Sequence, residues 1–284
     1  MKSKNVDIYF FSGTGNTYQA VKFLKEKLES VNLNQEQHSI TKIIVKLFRI
    51  EKNLPENINL NHTIGIAFPA AYGFTYPFIR KFLKNLPKTN GTDVFLLVTM
   101  GGYSGACLTL SKKLLLQKGY NCLSALELIM PSNLATNSKR QRNFKPHHTK
   151  ILRVNENNKS ILEIPNDLVE KFILNLINDN NHWKTNPIIS NILKVGIRYL
   201  NPHKYLYKKF PIKVDTSKCI QCGICYNVCP ADNIRMYEFP RFENNCEYCL
   251  RCYTYCPVKA INIYNLAMEP YKAADLEEIQ LDKQ

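Results

Sequence analysis

Two cysteine runs near the C-terminus constrain this chain more than any other feature. They are CIQCGICYNVCP, Cys219 to Pro230, and CEYCLRCYTYCP, Cys246 to Pro257. Each reads C-x2-C-x2-C-x3-C-P. One constant offset relates all four cysteine pairs, and Ile234 and Ile261 share it, so the runs form an internal repeat with a single half-site as its unit. Three thiolates on one short irregular loop can grip three corners of a compact metal cluster, but such a loop cannot double back to supply the fourth ligand. The prolines that follow the last cysteines, Pro230 and Pro257, lack an N-H and have a locked φ, which turns the chain away at those points.

The spacing resembles that of bacterial two-cluster ferredoxins. The resemblance implies two [4Fe-4S] clusters with crossed ligands: Cys219, Cys222, Cys225 and Cys256 on the first, Cys246, Cys249, Cys252 and Cys229 on the second. Two other readings compete. A disulfide scaffold belongs to secreted chains, and nothing else here looks secreted. A pair of zinc sites usually joins C-x2-C knuckles across a longer gap than these runs leave.

With 284 residues, the chain is long enough for one large and one small domain or for two medium ones. Its 45% hydrophobic and 21% charged residues are those of a soluble globular protein. The apolar run near the start is too short for a signal segment and ends in a glycine-containing turn, and no stretch approaches membrane-spanning length. The expected location is therefore the cytoplasm, where thiols stay reduced. The formal charge of +15 points to an acidic redox partner protein or an acidic small ligand. Nucleic acid is the competing partner and is not favoured, because no nucleic-acid motif is present.

At the other end of the chain, Val6 to Phe11 reads as a buried strand that runs into SGTGNT, Ser12 to Thr17. Val21, Leu24, Leu28 and Val31 then recur at helical spacing. A loop that joins a strand to a helix N-terminus is an anion site, with outward N-H groups and a favourable dipole. Here Ser12, Thr14, Asn16 and Thr17 add side-chain donors, while Gly13 and Gly15 allow close approach. A Walker loop would carry Lys-Ser/Thr where Asn16-Thr17 stands, and a dinucleotide fingerprint would need glycine where Tyr18 stands. The loop resembles the FMN-phosphate loop of flavodoxins. The alternative is a strand-to-helix turn with no ligand.

Further strands are expected at Ile43 to Ile50, Thr63 to Phe68, Asp93 to Thr99 and Cys122 to Met130, with helices around Phe78 to Leu86 and Gly105 to Lys118. This alternation predicts an α/β fold: a doubly wound, five-stranded parallel sheet that is flavodoxin-like, followed by a small α+β ferredoxin-like domain. In flavodoxins the loops after strands three and four enclose the flavin ring. The resemblance assigns that role to Pro69, Ala70, Ala71, Tyr72 and Gly73, and to Met100, Gly101, Gly102 and Tyr103, with Tyr72 and Tyr103 as the stacking candidates. Ordinary loop aromatics are the competing reading for both tyrosines. Cys107 and Cys122 read as buried, inert thiols.

Residues 138–153 are rich in Lys and Arg and include His147 and His148; a solvated basic loop is the expectation. Amphipathic helices are expected after Pro165, closing the first domain, and after Pro187, covering a domain seam in preference to lying on a membrane surface. His203 to Asp215 reads as a basic extended lead, Ala260 to Tyr264 as a strand, and the end of the chain as an acidic tail. The resulting division is a flavin domain over 1–182, a basic helix and linker over 183–211, a cluster domain over 212–268 and a tail over 269–284.

Both ends together resemble the flavodoxin-ferredoxin fusion proteins, or EFR-type ferredoxins, of anaerobic bacteria and archaea. The resemblance implies an electron-transfer protein that couples FMN to two [4Fe-4S] clusters and to a partner oxidoreductase. A flavin-dependent reductase fed by the clusters is the second reading, and a sensor or scaffold with structural clusters is the third. No acid-base constellation for an organic substrate stands out, so an electron carrier is favoured over an enzyme.

Overall fold

The computed structural model describes residues 1–31, 42–52, 54–133, 149–178, 182–183, 202–264 and 270–280. In chain order its first elements are β1 (Asn5–Phe10), α1 (Asn16–Glu29), β2 (Ile44–Arg49), β3 (Thr63–Pro69), α2 (Pro77–Asn85), β4 (Asp93–Met100), α3 (Cys107–Gln117) and β5 (Asn121–Ile129). Next come β6 (Lys150–Val154), β7 (Ser160–Glu163), α4 (Asn166–Ile177) and α5 (Pro202–Lys209). The cysteine-rich part holds β8 (Ile212–Val214), α6 (Ile224–Asn227), β9 (Ile234–Met236), β10 (Pro240–Phe242), α7 (Arg251–Thr254) and β11 (Ile261–Ile263), and α8 (Leu276–Gln280) follows.

The first five strands form one parallel sheet in the order β2-β1-β3-β4-β5, the flavodoxin-like doubly wound arrangement with its switch point between β1 and β3. A parallel sheet needs cover on both faces, which is why β3 and β4 are near-continuous apolar runs. Alternate residues serve the two faces. Val6, Ile8, Phe10, Phe95 and Leu97 pack with Val21, Leu24 and Leu28 of α1 and with Phe172, Ile173 and Leu176 of α4. Tyr9, Phe11, Val94, Leu96 and Val98 pack instead with Ile79, Phe82 and Leu83 of α2 and Leu115 of α3. The helix expected after Pro165 is α4 and does close this layer. Cys107 and Cys122 are both buried, and burial pushes the Cys122 thiol up to about 11, so each stays protonated and inert.

The cysteine-rich part is built from two antiparallel strand pairs, β8 with β11 and β9 with β10. The repeat seen in the sequence is present in the backbone. Left-handed residues recur in matched pairs, Gln221 with Tyr248, Gly223 with Leu250 and Asp232 with Lys259, and each run closes on a one-turn helix, α6 or α7.

Two expectations change. His203 to Asp215 is not an extended lead: its first part is α5, started by Pro202 in the first helical turn, and only Ile212–Val214 is strand. Leu206, Tyr207 and Phe210 lie on one face of that segment and pack on the core of the cysteine-rich part, so burial of that face outweighs a high density of charge. The terminal segment is also more than an acidic tail, since Ala274 and Ile279 are fully buried against the first sheet layer. The hairpin of β6 and β7 has no counterpart in the sequence reading and takes in Lys150 to Arg153 of the basic stretch. Residues 138–148 with His147 and His148, and the helix expected after Pro187, lie outside the described residues. No helix among the described residues is long and apolar enough to cross a membrane.

Glycine in the middle of β3 has a packing cause. Gly65 pairs with Phe95 in the neighbouring strand, and a Cβ on Gly65 would stand 2.5 Å from that ring. Gly65→Ala should destabilise the fold by about 1–3 kcal/mol through overpacking, read from the denaturation midpoint. Adding Phe95→Leu should recover part of the loss; purely additive losses would contradict this account.

Candidate functional site

The eight repeated cysteines line two separate cavities. Cys219, Cys222, Cys225 and Cys256 surround one, together with apolar groups such as Met236, Pro240 and Ile261. Cys229, Cys246, Cys249 and Cys252 surround the other, with Ile234, Phe242 and Leu250. Each cavity thus takes three cysteines from one run and the fourth from the other. Among the described residues, no three His, Cys, Asp or Glu side chains are grouped as a single metal ion requires; the sulfurs line cavity walls instead.

The crossing cysteines are held alike. The Asn233 N-H donates to Cys229 Sγ at 3.3 Å, and the Ala260 N-H donates to Cys256 Sγ at 3.2 Å, at matched places in the repeat. Burial pushes the thiols of Cys246 and Cys249 up to about 12 and that of Cys225 up to about 11, and neighbouring cysteines add to each shift. Burial also raises the thiols of Cys229 and Cys252, so four thiolates in the second-run cavity are stable only around a cationic centre, which a [4Fe-4S] core supplies, and the first-run cavity presents the same four-sulfur donor set.

A third site lies at the carboxyl ends of β1, β3, β4 and β5. Its cleft is lined by Ser12, Gly13, Thr14, Asn16 and Thr17 from the loop into α1, by Pro69, Ala70, Ala71 and Tyr72 after β3, and by Met100 and Gly101 at β4. Thr99, Met130 to Asn133, Tyr76 and Tyr248 complete the wall. Loop geometry follows from local bonds. Gly15 has φ 105, and its N-H donates to Ser12 Oγ at 3.1 Å, which curls the loop. Thr17 and Thr99 share a hydroxyl bond of 2.8 Å that ties α1 to β4.

The remaining candidates lie elsewhere. Gly15 is the N-cap behind the loop, and Gly73 packs its carbonyl against Gly105. Gly102 is exposed, and Tyr103 is 61% exposed and absent from the cleft wall. Tyr72, held at φ 52, lines the cleft but presents its ring edge-on to His203 at 4.8 Å. Asn16 is committed to the fold: its amide donates to the Pro131 carbonyl at 2.7 Å and accepts from the Tyr271 hydroxyl at 2.6 Å. Met130 was legible only as the end of the fifth strand, and Pro131 to Asn133, which follow it onto the same rim, were not singled out.

Tyr248 carries most information among the residues missed. It stands between two cluster-site cysteines, is buried in the cleft wall, and donates its hydroxyl to the Phe210 carbonyl at 3.0 Å. Its repeat counterpart, Gln221, is exposed. The same contrast holds along the loop. Glu247 caps α2, with the Phe78 N-H donating to its carboxylate at 3.0 and 3.2 Å, and burial raises its pKa to about 7. Its counterpart Ile220 is 60% exposed. His203 on α5 hydrogen-bonds the Glu247 carbonyl at 2.9 Å, and burial lowers its pKa to about 4, so the imidazole is neutral near pH 7. A Cβ on Gly13 would stand 2.7 Å from the Cys249 carbonyl oxygen, so the second cysteine run lies directly on the loop at the cleft. Glu247, Tyr248 and Arg251 of the second run thus reach the sheet domain, whereas Ile220 and Gln221 at the matching places of the first are exposed.

A family model for a 4Fe-4S binding domain matches residues 212–235, which contain Cys219, Cys222, Cys225 and Cys229. The chain thus carries a 4Fe-4S binding region. No curated protein matches it. Among solved structures it is similar to a flavodoxin from the domain Archaea, at 15% identity over 50% of this chain and 91% of that one, with a TM-score of 0.33. Similarity extends to a Streptococcus pneumonia TIGR4 flavodoxin (14% identity, 61% of this chain, 98% of that one, TM-score 0.40). It extends also to two-electron reduced Megasphaera elsdenii flavodoxin (22% identity, 45% of this chain, 89% of that one, TM-score 0.35).

Cys229→Ala should remove the cluster that draws on Cys246, Cys249 and Cys252 and spare the one built on its own run. Low-temperature EPR of the reduced protein checks this, and retention of the second-run signal would contradict the crossed arrangement. Thr14→Val removes a hydroxyl from the cleft wall and should weaken FMN retention by about 5- to 10-fold, the worth of one hydrogen bond. An unchanged dissociation constant would remove Thr14 from the binding set.

Proposed function

We propose that the chain is an electron-transfer protein of the flavodoxin-ferredoxin fusion kind, with FMN in the cleft, one [4Fe-4S] cluster in each cysteine-lined cavity, and a partner oxidoreductase beyond them. One observation carries the reading: the second cysteine run touches the cleft through Tyr248 and Cys249, while the first run presents Cys222 to solvent. The order of sites along the molecule is then cleft, second-run cavity, first-run cavity, surface.

Bound in these sites, FMN supplies one- or two-electron exchange and each cubane supplies one-electron exchange. The protein's part is placement. Ser12 to Thr17 present N-H groups and hydroxyls at a helix N-terminus, where a phosphate monoester is favoured. Pro69 to Tyr72 and Met100 to Gly101 bound the ring portion of the cleft. Tyr248 closes its inner wall and keeps water out of the gap between the cleft and Cys249. With clusters held by the two cysteine sets, each would exchange one electron at a time, so a two-electron charge at the cleft would correspond to two successive one-electron exchanges with the partner.

The formal charge of +15 favours an acidic partner, and reduced cysteine ligands favour the cytoplasm as the working compartment. Purified under anaerobic conditions, the protein should contain about eight iron atoms and one FMN per chain, the stoichiometry of two cubanes and one cleft. Four irons would reduce the clusters to one, and absence of flavin would remove the cleft from the electron path. In rapid-mixing spectroscopy, a reductant acting through the clusters should bleach the flavin with a lag behind the cluster absorbance.

A further inference from the structure

A repeat that arises from one half-site shows its later specialisation where the two halves differ. Ile224 opens α6 in the first run; Arg251 occupies the matching place and opens α7 in the second. Arg251 is only 4% exposed. Its Nε donates to the Ser12 carbonyl at 2.9 Å, its Nη1 donates to Glu51 Oε1 at 2.7 Å, and its guanidinium lies 4.5 Å from the centre of the Phe11 ring. Among the described residues, Arg251 Nη2 and Glu51 Oε2 have no hydrogen-bond partner, so a buried ion pair is held here although its hydrogen bonding is incomplete. Such a pair is costly to bury, and its location suggests what it is for.

In a trans peptide the C=O and the following N-H point in opposite directions. Holding the Ser12 carbonyl outward on Arg251 aims the Gly13 N-H away from the cysteine run, toward the cleft that Gly13 lines. The next outward-facing carbonyl behaves in the same way. Thr14 O accepts from the Ala273 N-H at 2.7 Å, and the Gly15 N-H that follows points inward to Ser12 Oγ. The outer edge of the loop is therefore set by groups from outside the sheet domain.

On the reading that the cleft takes FMN, we infer that Arg251 is a positioning residue that orients the phosphate loop from the cluster side, so that FMN binding and assembly of the second-run cluster are thermodynamically linked. A seated cluster loop pre-forms the anion site. By reciprocity, bound FMN stabilises the seated cluster loop by the same factor.

The test is a titration with FMN, followed by flavin fluorescence, on four forms of the full-length protein: wild type loaded with clusters, wild type stripped of them by chelation, and Arg251→Met in both states. Stripping should weaken FMN binding to the wild type by about 10- to 100-fold, the worth of one charge-assisted hydrogen bond and the order it imposes. Loaded Arg251→Met should already bind weakly, and stripping it should change little more. Arg251→Lys keeps the charge without the fork and should also bind weakly, whereas Glu51→Gln keeps the bond to Ser12 and should lose less. If Arg251→Met does not fold, the lysine variant and the two wild-type states decide the matter. Equal FMN affinity in loaded and stripped wild type, or wild-type affinity in the loaded lysine variant, would overturn the inference alone. A wild-type protein that binds no FMN in either state overturns the flavin reading and this inference with it.

Discussion

The close approach of the Cys249 carbonyl to Gly13 is the contact on which the arrangement of this molecule depends. Any side chain at Gly13 would meet a backbone oxygen that cannot swing aside, so the two domains can come this near only at a glycine. Around that point the other junction contacts are ordered. Arg251 reaches Ser12 and Glu51, Glu247 caps α2, and α5 packs on the cysteine-rich core while its His203 contacts Tyr72. The terminal segment meets the same loop, with the Ala273 N-H donating to the Thr14 carbonyl at 2.7 Å and the Tyr255 hydroxyl donating to the Ala274 carbonyl at 3.0 Å.

Duplication explains how such a junction is reached with little new structure. Both halves keep the ligand spacing, the left-handed backbone positions and the N-H that faces the crossing sulfur. What differs is the set of residues between the cysteines. Ile220, Gln221, Gly223 and Ile224 in the first half correspond to Glu247, Tyr248, Leu250 and Arg251 in the second. Leu250 keeps a φ of 64 where the first half uses glycine, a strain held in place by its burial in the cysteine-rich core. The shared cysteine spacing goes with a shared backbone, while the intervening side chains form an exposed surface at Ile220 and Gln221 and an interface at Glu247, Tyr248 and Arg251.

Much of this was legible in the sequence. Cysteine spacing is read directly because ligand geometry leaves few alternatives, and the parallel sheet is read from apolar runs such as DVFLLVT, which only a sheet covered on both faces needs. The loop from Ser12 to Thr17 was visible for the same reason: it has to curl between a strand and a helix. Other features needed the third dimension. A helix in the charged segment from Pro202 depends on a partner surface for Leu206, Tyr207 and Phe210, and the β6-β7 hairpin carries exposed apolar residues, Leu152 and Val154, that give no clean alternation. Asn16 looked like a phosphate donor by type, but its amide is bound by Pro131 and Tyr271, residues far from it in sequence. Tyr103 reads as a ring-stacking residue from its position in the loop, and its exposure is a tertiary property that position does not give.

The unequal surroundings of the two cysteine runs have a consequence for how this molecule ages in air. Cys222 and its neighbours Ile220 and Gln221 stand in water, whereas Tyr248, Leu250 and Arg251 wall the second run off. Oxidants that attack sulfur act where access is easiest. Oxidation is therefore expected to begin at Cys222, the one exposed cysteine of the eight, while the junction at Gly13 lies against the second run. Cys222 then acts as a fuse for the sulfurs behind it.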